Sequence, residues 1–422
     1  MTRADLLIAH ADLVATCAGR APRHGAAQGD IAALADASVA AWQGRIVAVG
    51  TAAEVARTVA LDDDAVVLDA RGATVVPGFV DSHTHLVYGG DRRDELARRL
   101  GGATYAEIAA DGGGIVRTVA DTRAASEDAL VAAALPRLAE ALGQGTTTCE
   151  VKSGYGLDLE TELTMLRAIR ALAARQPVDL SATFMGAHEV PVEYRGRRED
   201  YVRLVIDEML PAVARARLAE WNDVFCERGV FTPAESRAIL DAGRRLGLAP
   251  RIHADELAAS GGAQTAAAVG AVSADHLIHV DEAGADAMAA AGVIATLLPA
   301  AAFFLKLGRY APARMLVARG VPVALATDVN PGGGFSSSMP FVMALAAFGM
   351  GLTLEEALVA ATANGAAALG RQSSVGSLEP GKMMDAVVID GTLADLVRIG
   401  SPVIRAVVKR GRVAVGRHEG RA

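Results

Sequence analysis

Residues 76–85 read Val76-Pro77-Gly78-Phe79-Val80-Asp81-Ser82-His83-Thr84-His85, an apolar run that ends in two imidazoles two positions apart. In an extended segment alternate side chains share a face, so His83 and His85 can reach one ion together. A lone histidine is more often a satisfied core or surface residue; a pair closing an apolar run reads as a grip. From about Gly72 to Gly370 such runs alternate with Ala-rich amphipathic stretches, the pattern of parallel β/α units. Eight runs are predicted as strands, at 74–80, 146–151, 179–184, 223–226, 250–253, 274–278, 293–298 and 322–327. A closed (β/α)8 TIM barrel is the natural reading, and in that fold the chemistry sits where the strands end.

The flanks read differently. Short β-type runs fill 6–14, 38–42, 45–49 and 65–68, with Gln43-Gly44 as a tight turn, and the far end repeats the pattern at 385–390, 403–408 and 412–415 around Arg410-Gly411. The expected architecture is α/β: a barrel over 72–375 and a small β-sandwich-like domain formed by both termini, 1–71 and 376–422.

Composition narrows the class. The 422 residues are 52% hydrophobic and 21% charged, enough to bury a large core and too apolar for a disordered chain. A net charge of -8 with no long basic cluster argues against nucleic acid or an anionic membrane as partner and for a small ligand. Cys17, Cys149 and Cys226 are odd in number and lack metal-type spacing, which suits free thiols in a reducing compartment. The opening segment has no signal-peptide core, and the most apolar stretch, 289–305, is broken by Pro299 and short of the roughly 20 residues a membrane span needs. A cytoplasmic protein is expected.

Polar residues just past the predicted strands are the candidates for chemistry. Strand five ends in His253-Ala254-Asp255-Glu256, strand six supplies Asp275-His276, followed by His279, and strand eight ends in Thr327-Asp328-Val329-Asn330-Pro331-Gly332. Three imidazoles and a carboxylate satisfy a borderline-soft ion while leaving a position for water, which points to hydrolysis rather than a closed structural site. Singly, His253 or Asp328 could be a cap or a buried hydrogen-bond partner; four such groups at four strand ends make the case. Arg92, seven residues past His85, could fork a carboxylate, and Tyr105 could add a hydroxyl. Tyr155, between Gly154 and Gly156, and His188, beside Glu189, lie on the same catalytic face. Asp111-Gly112-Gly113-Gly114 lacks the spacing of a nucleotide-binding loop, so nucleotide binding is rejected.

Taken together these residues resemble the amidohydrolase superfamily, whose barrel pairs with a β-domain built from both termini. The likeness is narrower than that. Asp81-Ser82-His83-Thr84-His85-Leu86-Val87-Tyr88-Gly89-Gly90-Asp91-Arg92, Gly102-Ala103-Thr104-Tyr105-Ala106-Glu107-Ile108, Gly112-Gly113-Gly114-Ile115 and Glu150-Val151-Lys152-Ser153-Gly154-Tyr155-Gly156-Leu157 resemble the imidazolonepropionase family of histidine degradation, and the similarity runs over essentially the whole chain. It implies hydrolysis of the cyclic amide C–N bond of 4-imidazolone-5-propanoate to N-formimidoyl-L-glutamate by a metal-activated water. It implies one Zn2+ or Fe3+ per subunit held by His83, His85, His253 and Asp328, with Asp328, His276 and Glu256 in catalytic roles. Arg92 and Tyr105 match the positions that hold the propanoate; Tyr155, His188, Glu256, Asn330 and Gly332 match further substrate contacts, with Gly333 in the same loop. The family usually follows Asn-Pro-Gly with Ser or Thr, whereas Gly333 and Gly334 stand here. Three rivals are a ring deaminase of the same superfamily, a dinuclear site bridged by a carboxylated Lys152, and a catalytically silent barrel. Arg92 with Tyr105 argues against the first, and the complete ligand set against the last. By analogy a homodimer is expected, with the apolar run 339–350 either packed on the barrel or part of the interface.

Overall fold

The structure, a computed structural model, describes residues 1–103, 107–108 and 111–416. Five strands come first: β1 (Thr2–Ala15), β2 (Ala33–Trp42), β3 (Arg45–Thr51), β4 (Val59–Asp69) and β5 (Ala73–Pro77). Eight more form the barrel: β6 (Phe79–Asp81), β7 (Thr146–Lys152), β8 (Asp179–Ala187), β9 (Trp221–Cys226), β10 (Ala249–Ala254), β11 (Ser273–His276), β12 (Ile294–Leu297) and β13 (Val323–Leu325). Each pairs in parallel with the next, in chain order. The ring closes just beyond the strand ends, where Asp328 N–H donates to the His83 carbonyl at 3.0 Å and His85 N–H to the Val329 carbonyl at 2.9 Å. The same two bonds that shut the barrel therefore clamp the candidate ligands of its first and last strands against each other.

The last three strands, β14 (Ala386–Asp390), β15 (Ile404–Lys409) and β16 (Arg412–Gly416), return to pair antiparallel with β5 and with one another. Both termini thus build one eight-stranded sheet ordered β16-β15-β14-β5-β1-β2-β3, with β4 branching from β1. Its ends curl together: Ile46 N–H donates to the Lys382 carbonyl and Met384 N–H to the Gly44 carbonyl, and Ile46, Val39, Val388 and Val408 share a buried cluster separate from the barrel's. Positive φ at Gln43 (50°) with Gly44 (79°) and at Arg410 (48°) with Gly411 (72°) makes both expected turns the primed hairpin type.

One expectation is corrected. The run 74–80 is not a single barrel strand: Ala73–Pro77 belongs to the terminal sheet and only Phe79–Asp81 to the barrel. The break falls at Gly78, where a Cβ would stand 2.3 Å from Thr147 Oγ1, so the chain crosses between sheets through a gap only glycine fits. Both halves are fully buried, so their apolar character is one continuous signal and nothing in it marks the change of sheet.

Between the strands the helices start on side-chain caps: Ser126 on Glu127–Gly143, Asp158 on Leu159–Ala173 and Thr232, with Glu235 completing a capping box, on Pro233–Arg245. The run 339–350 is a helix, Met339–Met350, packed on the barrel through Met339, Val342, Met343 and Ala346, with Phe348 left 81% exposed.

Candidate metal centre and active site

His83 and His85 follow β6, His253 lies in β10, His276 ends β11, and Asp328 lies just past β13. All five are buried. Ligand atoms of His83, His85 and His253 fall within 4.8 Å of one another, as do those of His83, His276 and Asp328. His276 and Asp328 hold φ of +73° and +51°, left-handed values that cost a non-glycine residue of order 1–3 kcal/mol, and the barrel spends that strain at its catalytic end.

The hydrogen bonds fix the tautomers. His83 Nδ1 is 2.6 Å from Asp275 Oδ2 and His253 Nδ1 is 3.1 Å from Asp223 Oδ1, so each imidazole gives its proton to a carboxylate and keeps the Nε2 lone pair for the interior. Burial, reinforced by neighbouring cationic groups, holds His83, His85 and His276 well below the usual histidine range, so all three are neutral. His85 Nε2 stands 3.3 Å from His253 Nε2, and His83 Nε2, 3.6 Å from Asp328 Oδ1, is buried without a hydrogen-bond partner among the described residues. Three imidazole nitrogens converging here, one of them without any protein partner, are a donor set that a cation fits. A 3.3 Å separation is the edge of a tetrahedron with metal–nitrogen bonds of about 2.0–2.1 Å, so the donor set fits a zinc-like ion. Burial raises the Asp328 carboxyl to about 7 against the pull of His253, a cost that a bound cation removes.

Beneath the imidazoles lies a layer of buried charge that sequence reasoning missed. Lys152 Nζ is 2.7 Å from both Glu150 Oε1 and Asp223 Oδ2 and 3.9 Å from Asp275 Oδ2. Burial pushes the ammonium's pKa down, and the surrounding carboxylates more than offset it, leaving it above its ordinary value. The signal for this layer was in the sequence as charges inside otherwise apolar strands, Glu150 and Lys152 in β7, Asp223 in β9, Arg251 in β10 and Asp275 in β11.

A cavity of about 460 Å³ opens above the imidazoles and is lined by His85, Arg92, Tyr155, His188, Glu256, His276, Asp328, Asn330, Gly332 and Gly333 among others. Tyr105 lies outside the described residues. Arg92 is buried and gives Nε and Nη2 to Glu95 Oε2 at 2.9 and 2.8 Å, while its Nη1 lies against Gly332, where a Cβ would approach to 2.3 Å. The His188 ring stacks on His85 with centroids 4.8 Å apart. Its Nδ1 donates to the Gly154 carbonyl at 2.9 Å, and burial lowers its pKa to about 3, so it is neutral with Nε2 as an acceptor. Glu256 is pushed up to about 8 by burial, then by Asp328 and Glu227, and Oε1 lies 3.6 Å from His276 Nδ1, so this carboxyl carries a proton at neutral pH. Asn330 spends its side chain on its own loop, giving Nδ2 to the Asp328 carbonyl and taking Gly332 and Gly333 N–H on Oδ1. Gly334 has no alternative: a Cβ there would sit 1.8 Å from the Asp328 carbonyl oxygen. His279 is displaced from the centre and faces Arg309.

Comparison with known proteins identifies the family. Residues 74–414 match the model of the amidohydrolase family. The chain is 51% identical to the imidazolonepropionase of Symbiobacterium thermophilum over 98% of both chains, and 50% identical to that of Geobacillus kaustophilus over 92% of both. In fold it is similar to an atrazine chlorohydrolase of Arthrobacter aurescens complexed with zinc (TM-score 0.74, 19% identity, 97% of this chain and 95% of that one) and to a zinc-bound adenosine deaminase of Xanthomonas campestris (TM-score 0.70, 20% identity, 98% and 94%). The chain belongs to the amidohydrolase superfamily and, within it, to the imidazolonepropionase family.

Proposed function

We propose that the protein hydrolyses the cyclic amide C–N bond of 4-imidazolone-5-propanoate to N-formimidoyl-L-glutamate, the imidazolonepropionase step of histidine degradation. The observation that carries the reading is the pairing, in one cavity, of a cation-fitting imidazole cluster with a buried arginine able to take a carboxylate. His83, His85, His253 and Asp328 are the proposed ligands of one Zn2+ or Fe3+ per subunit. Such an ion supplies a water acidic enough to ionise near neutrality and polarises the ring carbonyl.

The side chains do the rest. Asp328 and His276, both on the floor of the cavity, are the groups that orient the attacking water and accept its proton. Glu256, protonated in its buried setting, hands a proton to the ring nitrogen as the C–N bond breaks. Arg92 takes the propanoate carboxylate on the guanidinium edge left by Glu95, with Tyr105 as its partner; Tyr155 and neutral His188 flank the ring, and Asn330, Gly332 and Gly333 form the loop against which it rests. Assembly as a cytoplasmic homodimer belongs to the same reading, supported by the exposed Phe348 ring and by three buried free thiols.

Turnover of imidazolonepropanoate, followed spectroscopically, tests the reaction: formimidoylglutamate is the expected product, and release of ammonia would place the chain with the ring deaminases instead. His253→Ala should lose both bound metal and turnover; full activity in the metal-depleted variant would overturn the scheme.

A further inference from the structure

Arg251 and Lys152 are the two cations buried beneath the imidazoles, and they are used differently. Arg251 spends Nη1 on the Ala368 carbonyl (2.7 Å) and Nη2 on the Ser82 carbonyl (2.8 Å), so it ties barrel backbone and only brushes Asp275 at 3.4 Å. Lys152 makes its two short contacts to carboxylates, and each carboxylate reaches the cluster by another atom. Asp223 takes the ammonium on Oδ2 and His253 on Oδ1. Glu150 takes it on Oε1, together with the Thr183 hydroxyl, and with Oε2 accepts the N–H of Thr84, the residue between His83 and His85 (3.0 Å). Asp275 takes His83 Nδ1 on Oδ2, the oxygen that also faces Arg251 Nη2 at 3.4 Å and Lys152 Nζ at 3.9 Å, and the Ser273 hydroxyl on Oδ1, so its hold on His83 does not depend on Lys152.

We propose that Lys152 is the positioning residue of the metal centre, a single buried ammonium that sets the aim of His253 through Asp223 and of the His83–His85 segment through Glu150. A carboxylate pinned at one oxygen cannot rotate, so the imidazole on its other oxygen cannot either. The placement is costly: a fully buried charge at the end of a barrel strand gains less than a well-packed apolar side chain of the same volume. What the ammonium contributes is direction, and removing such an outer partner lowers metal affinity about 10–100-fold.

The inference rests on reading the imidazole cluster as a metal centre, and the experiment separates the two. Zinc affinity is measured by chelator competition, and the visible spectrum is recorded after Co2+ loading, on the wild type, on Lys152→Met, on the double variant Glu150→Gln/Lys152→Met, and on Lys409→Met. The double variant removes Lys152 together with Glu150 and leaves no stranded Glu150 charge, while Asp223 keeps its bond to His253. Lys409 is an equally buried lysine, paired with Asp385 at 2.6 Å and Asp179 at 2.8 Å where the terminal sheet meets the barrel, and so reports the loss of a structural ion pair. Expected are a zinc dissociation constant raised 10–100-fold and a shifted cobalt spectrum in the Lys152 variants, with Lys409→Met unchanged in both. The proposal falls if a folded Lys152 variant keeps wild-type affinity within twofold and an identical spectrum. It falls equally if neither variant folds, which would assign Lys152 to the fold alone, or if Lys409→Met shows the same loss. If the wild type itself binds no ion, the metal reading fails first.

Discussion

Glu256 and Arg92 show how single side chains are tuned by what they touch. Glu256 is held near 8, above the ordinary carboxyl value of 4.5, so the folded protein keeps a proton that the unfolded chain has already released. Folding therefore takes up a proton between those two values, and stability is lost as pH rises through that window. Glu256→Gln removes this titration. Its melting temperature should exceed the wild type's by a margin that grows from pH 5 to pH 8, while kcat drops about 10²–10⁴-fold through loss of the proton carrier. A margin independent of pH would show that Glu256 is ionised in the folded state. Arg92 works by geometry, its fork fixed by two bonds to Glu95 Oε2. Lysine keeps the charge and loses the fork, so Arg92→Lys should raise KM about 10–100-fold with a smaller change in kcat; steady-state kinetics in which kcat alone falls would remove Arg92 from carboxylate binding.

Elements carry the ligands, and the loop after β13 is the most constrained of them. It folds back so that Asn330 N–H meets the Gly334 carbonyl at 2.8 Å, directly over the backbone of Asp328. Gly334→Ala should push that loop off Asp328, lowering zinc affinity and kcat together by at least about tenfold while the metal-free protein melts within a few degrees of wild type; an unchanged affinity would mean that the loop moves without Asp328. This loop also marks how far the sequence could be read. Strand ends were legible because an apolar run followed by His or Asp is a local pattern, and all five residues of the imidazole–carboxylate cluster came from it. The tightness that demands Gly334 is a contact made only once the loop has folded, and the sequence showed it merely as a departure from the family's usual Ser or Thr. Likewise Asp223 and Asp275 could be seen as odd charges in apolar strands, whereas their partnership with His253 and His83 depends on the register of parallel strands, which no local pattern encodes. The change of sheet at Gly78 was hidden because both halves of the run are buried and equally apolar.

Across the whole molecule, the barrel is closed where its chemistry is. Asp81 caps the closure from below, accepting the Thr327 N–H and hydroxyl at 3.0 and 2.6 Å, and two backbone bonds above it join His83 to Asp328 and His85 to Val329. A cation drawn into the cluster is thus bound by residues from both sides of the seam and tightens it. Without the cation, the imidazoles of His85 and His253 meet nitrogen to nitrogen across 3.3 Å and His83 Nε2 has no hydrogen-bond partner among the described residues. Since the unfolded chain holds no such arrangement, binding stabilises the folded state alone, by about 2.7 kcal/mol when free metal is a hundred times its dissociation constant. For a chain of this length that is a shift of a few degrees, because the unfolding entropy grows with size. Stripping the metal with a chelator should therefore lower the melting temperature by a few degrees, and adding back one equivalent of Zn2+ should restore it. In His253→Ala neither step should move the midpoint. A wild-type midpoint that stays fixed while elemental analysis shows the metal removed would mean that the seam closes without an ion, and that the cluster's lone pairs are satisfied in some other way.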